Sequence, residues 1–397
     1  MKDLLPRARY GLDGPFCAAV ALLIGWGLIM VSSASVSVAE KLAGDPMYFF
    51  ERQLVFAALG LIAGAVVFSV PMARWQRYGP WLLVFALAML IVVLIPGLGL
   101  RVNHARRWLD FGVFRLQASE PARLAVIIYL AGYIVRRQPA LQQSFMGLAA
   151  PFMPLGIISL LLLLEPDFGA TAILLAVAML MLFLGGARVV YFAAILATTA
   201  GGLGVIATTA AYRMRRMLSF LNPWADAERS GFQLTQSLIA VGRGEWFGVG
   251  LGNSVQKLLY LPETHTDFIF AILAEEFGLA GIVVLLALFG VVVWRGFVIG
   301  KEAEKRGELF SAYLCYGLAS WLGLQALINM AVNMGMLPTK GLTLPFISYG
   351  GSSLITVFLM VALMLRVDHE NRLARAGHPS MQRQDYAPSR APARARA

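Results

Sequence analysis

"DFIFAILAEEFGLAGIVVLLALFGVVVWRG", residues 267–296, opens on a carboxylate and carries two more at Glu275 and Glu276. It holds no other charge until Arg295. Its apolar run is longer than the roughly 20 residues a helix needs to cross a bilayer. The rest of the chain repeats the pattern. Hydrophobic residues make up 59% and charged residues 14% of 397, where a soluble domain carries about a quarter charged. Mean hydropathy is +0.71. The sequence therefore predicts an all-α polytopic membrane protein with about ten spans, near 15–35, 53–70, 80–98, 119–135, 147–164, 168–187, 189–210, 267–293, 308–332 and 346–366. The first run is too long for a cleaved signal. Cys17 and Cys315 fall inside spans and imply neither a disulfide framework nor a zinc site.

The formal net charge is +11. In a soluble chain that would suggest nucleic acid; here the positive-inside rule uses up much of it. Lys2, Arg7 and Arg9 precede the first span. Arg74, Arg77, Arg136, Arg137, Arg188, Arg295, Lys301, Lys305 and Arg306 follow even-numbered ones. All lie on one side if both termini are cytoplasmic. This gives an N-terminus 1–14, a transmembrane domain 15–366 with a large outer loop 211–266 between spans seven and eight, and a basic disordered tail 367–397.

Two outer segments break the charge rule. "RVNHARRWLDFGVFRLQASE" (101–120) carries Arg106 and Arg107 beside Trp108. The loop 211–266 opens on Arg213, Arg215 and Arg216 and later carries Arg243 and Lys257. Arginine forks suit phosphate or pyrophosphate oxygens, and anionic lipid headgroups are the alternative. Within the loop, "GFQLTQSLIAVG" has the spacing of a short amphipathic helix. Five glycines within 242–252 permit close approach to a substrate.

Asp267 has two readings: the N-cap of its helix, or a general base whose pKa is raised by partial desolvation at a membrane mouth. His265 reads as a second acid–base group, a phosphate contact or an interfacial polar residue, and Glu263 as a further contact or a solvated acid. Glu275 and Glu276 are functional candidates or partners of a neighbouring cation. Gln325, Asn329 and Asn333 form one helical stripe that lines a cavity or glues helices together. "MLPTKGLTLPFISYGGSS" (336–353), with Lys340 and Ser348, is broken by Pro and Gly, as backbone lining a cavity near membrane depth is. These groups suit a lipid-linked pyrophosphate.

At "LPETHTDFIFAILAEEFG", "NMGMLPTKGLTLPFISYGGSS", "ARRWLDFGVFRLQASE" and "FLNPWADAERSGFQLTQSLIAVGRGEWFGVGLGNSVQK" the chain resembles the SEDS family, more its cell-division branch than its elongation branch. The resemblance covers roughly 15–366. It implies ten transmembrane helices and a peptidoglycan glycosyltransferase that polymerises lipid II during septal cell-wall synthesis, by inverting transfer with undecaprenyl pyrophosphate leaving. It also implies a class B penicillin-binding protein as transpeptidase partner, other divisome membrane proteins nearby, and a place in the inner membrane at the septum. Asp267 matches the family's catalytic aspartate and Trp108 its loop tryptophan. The chain departs from the family pattern at Ala118, where relatives carry proline, and at His104, where they carry glycine. Arg106, Arg107, Arg213, Arg216, Arg243, Lys257, Glu263, His265, Lys340 and Ser348 are the substrate-binding candidates. No residue cluster demands a cofactor or resident metal; a divalent cation accompanying the pyrophosphate is left open. The rival readings are a lipid II flippase, which needs no base, and a non-enzymatic divisome scaffold that recruits a transpeptidase.

Overall fold

The computed structural model describes residues 11–102, 105–110, 112, 115–209, 220–227, 231–258, 260–339 and 341–376. His104, Arg213, Arg215, Arg216 and Lys340 lie outside them, as does all of the tail beyond 376.

Helices dominate. They are α1 (Gly14–Ala43), α2 (Tyr48–Ser69), α3 (Met72–Leu94), α4 (Ser119–Gln143), α5 (Phe145–Ala149), α6 (Phe152–Leu164), α7 (Phe168–Leu184), α8 (Val189–Thr209), α9 (Phe232–Arg243), α10 (Ile269–Lys305), α11 (Leu309–Asn333) and α12 (Gly351–Arg375). Among the described residues nine spans are long and apolar enough to cross a membrane, α5 and α6 together forming one. The expected span 168–187 is the shorter apolar helix α7. Several boundaries move, among them these. The third span starts at Met72 and carries Pro80 inside it, because a proline within a helix costs one hydrogen bond without having to end it. The last span starts after the Pro/Gly breaks, at Gly351, and runs to Arg375. The expected tail boundary at 367 is therefore corrected to beyond 376. Arg366–Glu370 and Arg372–Asp368 pairs one turn apart support the added turns.

The two ends of the bundle differ. At the terminal end Asp13 caps α1 by accepting from Phe16 N at 2.9 Å. It is ion-paired with Arg295 of α10 and lies 3.8 Å from Arg372 of α12. One carboxylate thus ties the starts and ends of three helices. The opposite end carries the connections read as outer. The first outer segment carries an antiparallel meander of three strands: β1 (Gly99–Val102), β2 (Ala105–Asp110) and β3 (Arg115–Gln117). Trp108 pairs with Leu100 on one side and Gln117 on the other. The core lies where α11, α4, α7 and α12 surround one another; α11 is buried along most of its length.

α10 is broken. Gly278 has φ 63° and ψ −162°, a conformation only glycine adopts readily. The break leaves backbone groups unpaired, and the glycine-rich loop supplies their partners. Val249 N and Gly250 N donate to the carbonyls of Glu275 and Glu276, while Leu279 N and Ala280 N donate to those of Glu245 and Trp246, all at 2.9–3.1 Å. A Cβ at Gly244 would fall 1.9 Å from Ala274 O. Gly244 and Gly248, read as room for a substrate, instead make room for the backbone of α10.

Candidate active site

Asp267 sits at the end of a tight turn that precedes α10. Glu263 starts the turn with φ 57°, and its carbonyl accepts from Thr266 N and Phe268 N, both at 3.2 Å. Its carboxylate accepts from the Thr266 hydroxyl at 2.7 Å. Glu263 thus shapes the turn and stays exposed. The helix N-cap is Phe268, so Asp267 stands one residue before the cap position. It is half-buried. Its carbonyl accepts from Asn329 at 3.0 Å and Asn333 at 3.1 Å. Asn329 also donates to Leu342 O, and Gln325 donates to Thr343 O at 2.9 Å. The amide stripe therefore binds the Asp267 turn and the broken connection to α11. The glue reading holds for it, and what it glues is the acid's own backbone.

The broken connection closes over the acid. Asp267 Oδ2 would stand 3.1 Å from a Cβ at Gly341. Ser348, 5% exposed, donates to Thr266 O and accepts from Leu344 N, both at 2.7 Å. It pins the connection to the turn and has no open face for a substrate. His265 is buried, with its ring centroid 4.4 Å from that of Phe49 and 5.7 Å from that of Tyr349. Burial pushes its pKa down against the opposing charge of Glu263. The imidazole packed in this way wedges the turn, and its burial disfavours the positive charge a phosphate contact would use.

The expected cations divide. Lys257 is 7% exposed; its ammonium lies 2.9 Å from Glu276 and 3.0 Å from the Ser33 hydroxyl. Arg243 approaches Glu275 at 3.5 Å with a half-exposed side chain. Glu275 also accepts from Ser254 and from Val255 N. Both glutamates thus fasten the long loop to α10, and Lys257 in particular is corrected from a substrate contact to a buried ion-pair partner. Arg107 is likewise committed: its guanidinium donates to the carbonyls of Glu165 and Pro166, each at 2.7 Å. It holds the Trp108 strand against the turn between α6 and α7. Arg106 makes one long contact, 3.5 Å to Leu94 O, and is half-buried beside Trp108.

A second polar cluster was not singled out by sequence reasoning. Arg123 of α4 is ion-paired with Glu120, one turn back, approaches Gln325 at 3.4 Å and lies 4.8 Å from the Trp321 ring centroid. Gln117 bridges Ser119 and Asp167. Its backbone N donates to the Ser352 hydroxyl, which donates to Arg115 O at 2.9 Å. The signal was readable: two ionisable residues three apart at the start of an apolar span. Through Gln325 and Thr343 this cluster connects the meander to the connection over Asp267.

Beside it, Glu165 is wholly buried, and neither carboxylate oxygen has a hydrogen-bond partner among the described residues. Burial raises its pKa to about 9, with Asp167 adding and Arg107 opposing. A carboxyl whose folded pKa is raised takes up a proton on folding above its unfolded value. Its contribution is fully present below that value and is lost as pH rises toward 9. Glu165→Gln removes this linkage. Melting curves of the two proteins should diverge in favour of the variant between pH 5 and pH 8; parallel curves would show that Glu165 is ionised.

A family model described as "Cell cycle protein", covering FtsW, RodA and SpoVE, matches residues 15–373. The chain is 53% identical over 372 residues to the probable peptidoglycan glycosyltransferase FtsW of Thioalkalivibrio sp. (strain K90mix), covering 94% of this chain and 93% of that one. It is 52% identical to the protein of the same name from Nitrosococcus halophilus, covering 92% and 94%. Among solved structures it resembles a chain from work titled "Structural coordination of polymerization and crosslinking by a peptidoglycan synthase complex", at TM-score 0.74, 26% identity and coverage of 91% and 98%. It also resembles the rod shape determining protein RodA of Thermus thermophilus, at TM-score 0.67, 27% identity and the same coverage.

Proposed function

The chain belongs to the FtsW, RodA and SpoVE family of cell cycle proteins, and from that premise we propose that it is a peptidoglycan glycosyltransferase with Asp267 as general base. Asp267 takes the proton of a sugar hydroxyl on incoming lipid II. That oxygen attacks the anomeric carbon of the lipid-linked strand, the configuration inverts, and undecaprenyl pyrophosphate leaves. A base positioned for proton transfer needs its backbone fixed. The single observation that supports the role is the double amide clamp on the Asp267 carbonyl. The names of the relatives favour this chemistry over the flippase and scaffold readings.

The leaving pyrophosphate needs cations that the fold does not consume. In the meander Arg106 makes only a long contact to Leu94 O and keeps more of that freedom than Arg107, which is bound to two carbonyls. Arg243 contributes from its half-exposed position. Arg213, Arg216 and Lys340 remain candidates on the sequence argument. Trp108 offers its ring to a sugar or isoprenoid surface. The meander end faces the outside, the termini face the cytoplasm, and the working partner is a class B penicillin-binding protein at the septum. The test is polymerisation of purified lipid II by the purified protein with that partner. Glycan strands that accumulate to the same extent with a transpeptidase-inactive partner support the reading. Lipid II crossing a vesicle bilayer without strand formation would replace it with the flippase.

A further inference from the structure

The long loop carries a feature that the reaction does not use. Trp246 is 70% exposed and Phe247 83%, adjacent aromatics at the tip of the segment that splices the break in α10. Their position along α10 is fixed, because Ala280 N donates to Trp246 O at 3.0 Å and Leu279 N to Glu245 O at 2.9 Å. Directly below, α10 turns an apolar face outward through Leu279, Val283, Val284 and Leu286, and ends it at the exposed Trp294, next to Arg295 at the terminal end.

Length decides what covers this tip. The uncharged stretch Leu279–Trp294 has sixteen residues, about 24 Å at 1.5 Å per residue. A hydrocarbon core is about 30 Å thick. Above Leu279 the helix cannot supply the missing apolar height: Ile269–Ala274, Glu275 and Glu276 are buried inside the protein. The tip can. It stands beside the upper end of the exposed face, is held there by backbone hydrogen bonds on both sides of the break, and adds the exposed Leu251. Tryptophan and phenylalanine are residue types that sit at a bilayer interface, and Trp294 ends the same face on the other side.

We propose that the Trp246–Phe247 tip is seated in the lipid of the bilayer leaflet on the Asp267 side, completing the lipid-facing surface of α10. The anchor and the acid flank one rigid half-helix, Ile269–Phe277, so the depth of the tip sets the height at which Asp267 meets a substrate whose own tail lies in that leaflet. The inference rests on α10 crossing a membrane and not on the chemistry at Asp267, so the two fail separately.

The test uses the full chain with Cys17→Ala and Cys315→Ala, a nitroxide placed by Phe247→Cys, and bilayer nanodiscs of phosphatidylethanolamine and phosphatidylglycerol. Collision with oxygen and with a water-soluble nickel chelate is compared with labels at Val283, which faces lipid, and at Glu40, which is exposed at the meander end. An oxygen-to-nickel ratio near that at Val283 is expected; a ratio matching Glu40 overturns the proposal. A label that is wet in the bilayer and is shielded only when the transpeptidase partner is added also overturns it, assigning the tip to that partner. Should the label disturb the loop, Trp246→Phe gives a second readout. The emission it removes from the wild type should be quenched by brominated lipids, and quenching by aqueous acrylamide instead would sink the idea.

Discussion

Asp267→Asn leaves a protein that inserts, folds and binds its partner, yet polymerises lipid II about 10² to 10⁴ times more slowly than wild type, the cost of removing a general base. The amide keeps the shape of the carboxylate and loses only its ability to accept a proton. The fold should tolerate this, because the turn is held through its backbone. Asn329 and Asn333 grip the Asp267 carbonyl, which the substitution leaves in place. Ser348 grips Thr266. Melting temperature and detergent-stable yield should therefore match wild type while strand synthesis collapses. If Asp267→Asn polymerised at a near-normal rate in the purified assay, the proton would have another acceptor. If it lost stability along with activity, the side chain would be structural.

The membrane architecture was legible because hydropathy over some twenty residues is a strong and local signal. So was the amphipathic helix in the long loop, expected from "GFQLTQSLIAVG" and found as Phe232–Arg243. What escaped was whatever depends on distant partners. The meander at 99–117 has strands of three to six residues, too short to show a period against a loop background. Pro80 pulled the expected start of the third span inward, although the helix runs through it. The glycines at 242–252 announced close approach, but sequence cannot say which of them or to what; Gly244 and Gly248 lie against the backbone of α10 around a break at Gly278. Arginines and lysines raise the same difficulty. A cation on the unexpected side of a membrane signals a nearby anion, and that anion is as readily a glutamate of the fold as a phosphate of the substrate. Glu275 and Glu276 were visible as costly acids, and Arg243 and Lys257 as surplus cations. That each pair satisfies itself required the loop to be folded back.

Lys257 turns that ambiguity into a decisive measurement. Its ammonium is buried against Glu276 and Ser33, and Ser33 donates to the same carboxylate at 2.7 Å. The three groups join α1, the long loop and α10. Replacing Lys257 by Met leaves a buried carboxylate without its cation, which costs about 3–5 kcal/mol. Glu276→Gln alone leaves the ammonium stranded at a similar cost. The double variant removes both charges, so most of the loss should return, since paired buried charges gain little net free energy over neutral groups that fit. Unfolding by graded denaturant in detergent gives the three differences, and their non-additivity measures the coupling. Activity separates the two roles for Lys257. If it serves the fold, polymerisation falls in each single variant through loss of folded protein and recovers with stability in the double. If instead Lys257 carries the leaving pyrophosphate, the double variant regains stability and stays inactive. The geometry favours the first outcome: the lysine is nearly sealed from solvent, and its ammonium already holds a carboxylate and a hydroxyl at hydrogen-bonding distance.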